Sequence, residues 1–213
     1  MNRVALGKSG LTVSEWCLGT MTWGTHTSVA DAHRQIDLAQ DAGIDFMDCA
    51  EIYPVNPIAA ETAGQSEDVI GAWVAKSGNR DKWKIATKVS GRNGGVMRGG
   101  MGFDGAIIRE AVDASLKRLQ TDVIDLYQLH WPDRGSYMFR QNWTFDPSGQ
   151  NKQKTLDHMA DVLAAMDEVV KAGKVRAFGL SNESAWGTTR WIDVAEQMGA
   201  PRVAAVQNEY SLL

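Results

Sequence analysis

Cysteine and histidine are scarce in this chain, and their scarcity narrows the classes of site it can form. The 213 residues contain two cysteines, Cys17 and Cys49, and four histidines. Both cysteines fall in segments with the pattern of buried strands, which favours packed, reduced thiols over a disulfide framework. No cysteine or histidine cluster has the spacing of metal ligands. The sequence therefore predicts neither a disulfide-stapled scaffold nor a metal site.

Long apolar runs and an excess of positive charge are also lacking. No stretch approaches the roughly 20 apolar residues of a membrane span. The first ten residues, MNRVALGKSG, lack the pattern of a secretion signal. The formal net charge of −4 argues against bulk attraction to nucleic acid or anionic lipid. We expect a cytoplasmic protein, monomeric or homo-oligomeric, with no nucleic-acid or membrane partner.

Hydrophobic periodicity divides the chain into alternating strands and helices. Residues 3–13 have the pattern of a hairpin around a Gly-rich turn, and Ser66 and Asp104 are candidate helix N-caps. Strands are predicted over 15–20, 44–48, 83–89, 123–130, 175–181 and 203–208, and helices over 28–43, 66–78, 104–120, 156–173 and 183–199. Strands that alternate with helices in this way predict βαβ units and a parallel sheet.

Two parallel architectures fit this alternation. An open, doubly wound dinucleotide-binding sheet requires a G-x-G-x-x-G turn after the first strand, whereas residues 19–24 read GTMTWG. The Gly-rich stretch GRNGGVMRGGMG (91–102) is long and irregular. We interpret it as a mobile loop, with a phosphate cradle as the alternative. An eight-fold barrel instead forms its active site at the C-terminal ends of the strands.

Polar side chains end one predicted strand after another. They are Asp48, Lys88, His130, Ser181 with Asn182, and Gln207. Each has an ordinary structural explanation when taken alone: a capping carboxylate, a solvated charge, a satisfied histidine or a helix cap. The series favours a (β/α)8 TIM barrel, represented by an N-terminal hairpin and about six of eight βα units. Residues 1–213 are predicted to form one domain, in which 131–155 is an active-site loop insertion.

Six segments, in this order and spacing, resemble the aldo-keto reductase superfamily. They are GTMTWG, MDCAEIYP, ATKVSG, LYQLHWPD, GLSNES and QNEYSLL. Within the superfamily they are most similar to the Tas-like bacterial branch related to potassium-channel β-subunits. The resemblance implies NADPH-dependent reduction of aldehyde or ketone carbonyls to alcohols, without a metal, and with NADH as the alternative cofactor. The implied partner is a small carbonyl substrate.

The resemblance places the family's catalytic tetrad on Asp48, Tyr53, Lys88 and His130. A phenol with an unperturbed pKa of about 10 keeps its proton at neutral pH and can give it to a nascent alkoxide. The ammonium of Lys88 would ease that proton release. Asp48 would hold Lys88 in place, and His130 would orient the carbonyl oxygen.

The resemblance also implies contacts to cofactor and substrate. The residues assigned to the cofactor are Gly19, Thr20, Met21, Asp48, Ser181, Asn182 and Gln207. Trp23 and Trp131 are expected to wall the substrate pocket, with core packing as the alternative. The aromatic residues expected to form part of a lid are Tyr137, Phe139, Trp143 and Phe145.

Two further expectations concern the extent of the chain and its role. The family barrel has eight strands, so we expect its C-terminal third to lie beyond residue 213 in a longer protein. If the chain truly ends at Leu212 and Leu213, we expect an inactive fragment without tight cofactor binding. The alternative function is a cofactor-binding, redox-sensing regulatory subunit, because such subunits retain the tetrad.

Overall fold

A six-stranded parallel sheet is the frame of the protein. The computed structural model describes residues 1–139 and 141–210, so the expected end at Leu212 and Leu213 lies outside the described residues. The strands are β1 (Arg3–Ala5), β2 (Thr12–Ser14), β3 (Leu18–Gly19), β4 (Phe46–Asp48), β5 (Lys84–Val89), β6 (Ile124–Leu129), β7 (Val175–Ser181) and β8 (Val203–Gln207). Strands β3 to β8 form the sheet, and β1 and β2 form a separate antiparallel hairpin.

The strand order decides between the two predicted architectures. Each strand of the larger sheet pairs in parallel with the next strand along the chain, in the order β3-β4-β5-β6-β7-β8. A doubly wound sheet would reverse this order at a switch point. The order therefore confirms the predicted fold class, a partial (β/α)8 barrel that forms a curled half-barrel.

Within the described residues, five α-helices cover the outside of the sheet. They are α1 (Val29–Asp41), α2 (Gln65–Ser77), α3 (Gly105–Leu119), α4 (Lys152–Lys171) and α5 (Ala185–Met198). Neighbouring helices contact each other in sequence order. Four of them begin at a residue whose side chain accepts a backbone N–H of the first turn: Ser28, Asp104, Asn151 and Ser184. Such caps satisfy donors that the helix itself leaves unpaired.

Helix α2 begins differently from the other four. It follows Gly64, whose φ of 91° lies in the left-handed region. The predicted N-cap, Ser66, is therefore wrong. It lies inside the first turn, fully buried, and its hydroxyl donates to the carbonyl of Trp23 at 2.8 Å.

The two faces of the sheet carry different side chains, because successive residues of a strand point to opposite faces. The outer face packs against the helices through Ile85, Val89, Tyr127, Leu129, Phe178 and Leu180. On the inner face Ala86, Leu126 and Ala177 form a small cluster that the hairpin covers with Leu6 and Leu11. The hairpin thus closes the end of the barrel interior opposite the candidate site.

Two elements begin more than two residues away from their predicted starts. The strand expected over 15–20 is only Leu18–Gly19, and Cys17 precedes it in an exposed position rather than a buried one. In the part of the chain that the structure describes, β3 pairs on one side only, so little packing extends it. Cys49 is buried as predicted. Helix α4 begins at Lys152, so its first turn takes up the end of the segment predicted as a loop insertion.

Candidate active site

Asp48 and Lys88 form an ion pair at the carboxyl ends of neighbouring strands. Lys88 Nζ lies 2.6 Å from Asp48 Oδ2 and also donates to the carbonyl of Cys49 at 2.9 Å. The Lys88 side chain is only 1% exposed. An ammonium removed from water is costly unless it is paired and hydrogen-bonded. These two acceptors therefore fix the place of Lys88.

Tyr53 and His130 lie beside this pair. The Tyr53 ring centroid is 5.1 Å from Lys88 Nζ, and its ring meets that of His130 edge to face at 5.5 Å. Tyr53 belongs to the loop after β4, whereas His130 follows β6. The structure thus brings together the four residues expected to form the catalytic tetrad.

Burial raises the pKa of Tyr53 well above its usual range, and the charge of Asp48 adds to the effect. This upward shift of the Tyr53 pKa is opposite to the downward shift that a neighbouring ammonium alone would cause. The Asp48 carboxylate, bound to Lys88, offsets that ammonium. The phenol therefore keeps its proton at neutral pH and is available as an acid.

Burial lowers the pKa of His130 well below its usual range, and the positive charge of Lys88 acts in the same direction. The imidazole is therefore neutral at pH 7 and carries one donor and one acceptor nitrogen. Its Nδ1 is buried and has no hydrogen-bond partner among the described residues. Such an atom marks a place where a bound polar group would be stabilised.

Side-chain amides connect the barrel mouth to these residues. Gln207 Nε2 donates to Asp48 Oδ2 at 3.2 Å, and Gln128 Nε2 donates to Gln207 Oε1 at 3.2 Å. Gln128 was not among the residues predicted from the sequence. The available signal was a polar residue two positions after Leu126, inside a buried strand. The expected cofactor residue Gln207 thus contacts the Asp48–Lys88 pair directly.

Asn182 is hydrogen-bonded to the backbone of His130. Its Nδ2 donates to the backbone carbonyl of His130 at 2.9 Å and to Ser181 Oγ at 3.1 Å. Its φ of 52° turns the chain sharply after β7. Asn182 and Ser181 were alternative candidates for the cap of α5, but Ser184 holds that position.

The turn expected beside the cofactor adjoins Asp48. Gly19 and Asp48 are partners in the register of β3 and β4, and Thr20 Oγ1 donates to the Asp48 carbonyl at 2.9 Å. Met21 is exposed, and its carbonyl accepts from Val55 N. All seven expected cofactor residues therefore lie at the carboxyl ends of the strands or in the loops that follow them.

The two tryptophans expected in the substrate pocket lie in different surroundings. Trp23 is 1% exposed in the hydrophobic core, and its Nε1 donates to Gln35 of α1 at 3.0 Å. This placement corrects the expectation of a pocket wall, because α1 and the core enclose the ring. Trp131 is half-buried, and its ring centroid lies 4.6 Å from that of His130 and 5.4 Å from that of Phe139. Trp131 therefore borders the site.

Three buried glutamates near the ends of the strands were not predicted from the sequence. Glu51, Glu67 and Glu183 are each at most 3% exposed. They pair with Arg98, Arg118 and Arg134 respectively. The partners are 47 to 51 positions apart in the chain, so a local sequence pattern cannot predict the pairs.

A cavity of about 600 Å³ lies beside the tetrad rather than over it. Its lining includes Trp131, Ser181, His158, Leu129 and Leu180. Leu129 and Leu180 belong to the face of the sheet that packs against the helices. The cavity is therefore on the outer side of the sheet, next to the loop that follows β6. No tetrad residue lines it. The cavity and the four expected tetrad residues are therefore separate features, and the lid expected from the aromatic residues of 131–155 stays a prediction.

In residues 1–139 and 141–210, no group of three or more His, Cys, Asp or Glu side chains is placed to hold a metal ion. No described helix is long and apolar enough to cross a bilayer.

Comparison with known proteins gives consistent matches. The profile of the aldo/keto reductase family matches residues 15–213. The chain is 45% identical over 211 residues to "Protein tas" of Escherichia coli (strain K12), a match that covers 96% of this chain and 59% of that protein. It is 37% identical over 220 residues to "Uncharacterized oxidoreductase YrpG" of Bacillus subtilis (strain 168), covering 100% and 59%. It is 34% identical over 182 residues to "6-dehydroglucose reductase" of Novosphingobium aromaticivorans, covering 83% and 50%. The chain thus spans 50 to 59% of the length of these relatives.

Proposed function

Because this chain belongs to the aldo/keto reductase family, we propose that it carries the catalytic residues of an NADPH-dependent reductase of aldehydes and ketones. The observation that supports this most directly is the Asp48–Lys88 ion pair, 5.1 Å from the ring centroid of Tyr53, with His130 at the edge of that ring. A protonated phenol, a fixed ammonium and a neutral imidazole are suited to stabilising a carbonyl oxygen as it becomes an alcohol.

Each of these residues has a distinct role in the proposed reaction. A bound nicotinamide would supply the hydride that adds to the carbonyl carbon. Tyr53 gives its proton to the carbonyl oxygen, so that the product is the alcohol and Tyr53 becomes a phenolate. Lys88 stabilises that phenolate electrostatically, and Asp48 keeps Lys88 in position. Neutral His130 donates a hydrogen bond that orients the carbonyl oxygen.

The residues at the barrel mouth suit the nicotinamide end of such a cofactor. Ser181, Asn182 and Gln207 offer hydroxyl and amide groups, which can both donate to and accept from a carboxamide. The unpartnered Nδ1 of His130 is a buried polar atom that a bound group would satisfy. NADPH rather than NADH is the donor we propose, by analogy with the family.

The proposed substrate is a small carbonyl compound that reaches Tyr53 past an aromatic wall. Trp131 and Phe139, with ring centroids 5.4 Å apart, support this wall. One relative is named 6-dehydroglucose reductase, and that name supports a carbonyl compound as the proposed substrate class. We further propose that residues 1–213 form one domain with 131–155 as its active-site loop. A reducing cytoplasmic location would suit the two free thiols.

Turnover tests the proposed function. The intact protein would be mixed with NADPH and a panel of small aldehydes and ketones, and oxidation of NADPH would be followed over many equivalents. Steady cycling at catalytic protein concentration supports the reductase. A single, stoichiometric oxidation of bound cofactor would instead support the alternative function, a redox-sensing regulatory subunit. No oxidation with any carbonyl compound would overturn both.

A further inference from the structure

Glu51 is a buried carboxylate between Asp48 and Tyr53 in the chain, and it has no role in the proposed reaction. Its side chain is 1% exposed. Glu51 Oε1 accepts the backbone N–H of Ser90 at 2.7 Å, and Arg98 donates to both carboxylate oxygens at 2.9 and 2.7 Å. Glu51 therefore links the loop after β4 to the loop after β5.

The backbone of Glu51 extends the pairing of β4 with β5 beyond the end of β4. The N–H of Cys49 donates to the carbonyl of Ala86 at 2.8 Å, and that of Glu51 donates to the carbonyl of Lys88 at 3.1 Å. The Glu51 carboxylate then receives the N–H of Ser90, two residues beyond Lys88. The segment that leads to Tyr53 is thus bonded to β5 on both sides of Lys88.

Arg98 secures this link from the Gly-rich stretch 91–102. Besides its two bonds to Glu51, it donates to the carbonyl of Ser90 at 3.1 Å. Gly95, Gly99 and Gly100 have positive φ values, which let the stretch fold back toward Glu51. The stretch was interpreted as a mobile loop or a phosphate cradle. In the structure it brings a guanidinium to a buried carboxylate, in the bidentate geometry that gives such pairs their specificity.

We propose that Glu51 is a positioning residue that, together with Arg98 and Ser90, holds Tyr53 beside Lys88. This inference rests on the proposed function, because it assigns to Glu51 the alignment of the proton donor with the ammonium. Displacing a catalytic group by about 1 Å can cost about 100-fold in rate. Glu51 does not contact the reacting atoms, so its loss should lower kcat while substrate binding changes little.

The test is Glu51→Gln in the intact protein, which keeps the shape of the side chain and removes its charge. We expect kcat for carbonyl reduction to fall about tenfold or more, with KM for the carbonyl compound within about twofold of its original value. Arg98→Met removes the same link from the other loop and should have the same effect. If the Glu51→Gln protein does not fold, the Arg98→Met protein serves for the same test.

Asp125→Asn is a matched control. Asp125 lies on β6 and is bonded to the start of β5, at the end opposite Glu51. Asp125 is fully buried, accepts the backbone N–H of Ile85 at 2.9 Å, and pairs with Arg80 and Arg176 at 2.8 Å. Its loss should cost stability in the same way, because a buried charge pair is broken in each case. It should leave kcat per folded molecule unchanged. An equal fall in kcat for Asp125→Asn and Glu51→Gln would overturn the positioning role.

A second readout does not depend on activity. Tyrosine labelled with carbon-13 at Cζ gives an NMR signal for Tyr53, identified by its disappearance in Tyr53→Phe. We expect that signal to move toward the value of a solvent-exposed tyrosine in Glu51→Gln and to stay in place in Asp125→Asn. An unchanged signal in Glu51→Gln would overturn the inference, whatever happens to kcat. If the unmodified protein reduces no carbonyl compound, the proposed function fails, and the NMR signal still decides the positioning role.

Discussion

Gln207 on β8 donates a hydrogen bond to Asp48 on β4, at 3.2 Å between Gln207 Nε2 and Asp48 Oδ2. The two strands are four positions apart in the sheet. In a flat sheet that separation would be about 19 Å, at about 4.8 Å per strand. Two short side chains meet across it only because the sheet curls into a half-barrel, and the curl brings the amide to the Asp48–Lys88 pair.

Breaking that pair should destabilise the fold. Asp48→Asn leaves the Lys88 ammonium buried without its charge partner, so we expect the free energy of unfolding to fall by about 3 kcal/mol. Urea unfolding measures it. Asp113→Asn is the control, because Asp113 pairs with Lys174 on the surface, where such pairs contribute about 1 kcal/mol or less. Equal effects of the two substitutions would contradict the account of the pair.

The lowered pKa of His130 predicts a loss of stability in acid. The unfolded chain takes up a proton near pH 6.5, whereas buried His130, beside Lys88, does so only at lower pH. Below about pH 6.5 the unfolded state therefore binds more protons, and the free energy of unfolding falls by up to about 1.4 kcal/mol per pH unit.

His130→Gln should remove that contribution, so that urea unfolding at pH 5 and pH 7 shows a smaller difference in stability than in the unmodified protein. His158 also has a pKa lowered by burial, and His158→Gln should reduce the difference separately. A His130→Gln protein with the unmodified pH dependence would show that the imidazole is not buried and neutral.

Arg134 should hold the 131–151 segment against the barrel. It donates to Glu183 Oε2 at 2.9 Å, and its guanidinium lies over the ring of Trp186 at 5.4 Å. Arg134→Met leaves Glu183 buried without a cation, so we expect faster limited proteolysis within 131–151. Arg109→Met removes an exposed pair with Glu168 and should leave the cleavage rate unchanged. Unchanged cleavage in Arg134→Met would show that other contacts hold the segment.

The hairpin that closes the barrel interior depends on Gly7. An added Cβ would lie 2.2 Å from the carbonyl oxygen of Ala204, on a backbone with φ of 56°. We expect Gly7→Ala to lower the thermal midpoint clearly more than Gly10→Ala. Gly10 has φ of 79° and nothing within 4 Å of an added Cβ, so it carries backbone strain alone. Similar midpoints for both variants would mean that the hairpin does not pack on β8.

The alternation of elements was predictable because the apolar periodicity of each strand and helix is local. Features set by distant partners were not. Ser66 has the chemistry of a cap, but its hydroxyl is used by the carbonyl of Trp23, 43 positions away. Trp23 itself resembles a pocket residue in sequence, and only the position of α1 shows that it lies in the core.

The residues of the candidate site also fall into those that could be predicted from the sequence and those that could not. The expected tetrad came from family resemblance. Three of its members, Asp48, Lys88 and His130, also belong to the series of polar strand ends, which lie together because parallel strands end at the same edge. Glu51 and Gln128 were missed because their partners come from other strands and loops. The direction of the Tyr53 pKa was also unpredictable, because it depends on burial and on how fully Asp48 offsets Lys88.

Tyr53 is proposed to supply the proton for carbonyl reduction. The most direct test compares kcat for an aldehyde, with NADPH in excess, in the unmodified protein and in Tyr53→Phe, alongside NADPH affinity from fluorescence titration. We predict that Tyr53→Phe loses at least about 100-fold in kcat, the scale of general acid catalysis, with NADPH affinity nearly unchanged. A Tyr53→Phe protein that reduces the aldehyde as fast as the unmodified protein would show that Tyr53 is not the proton donor.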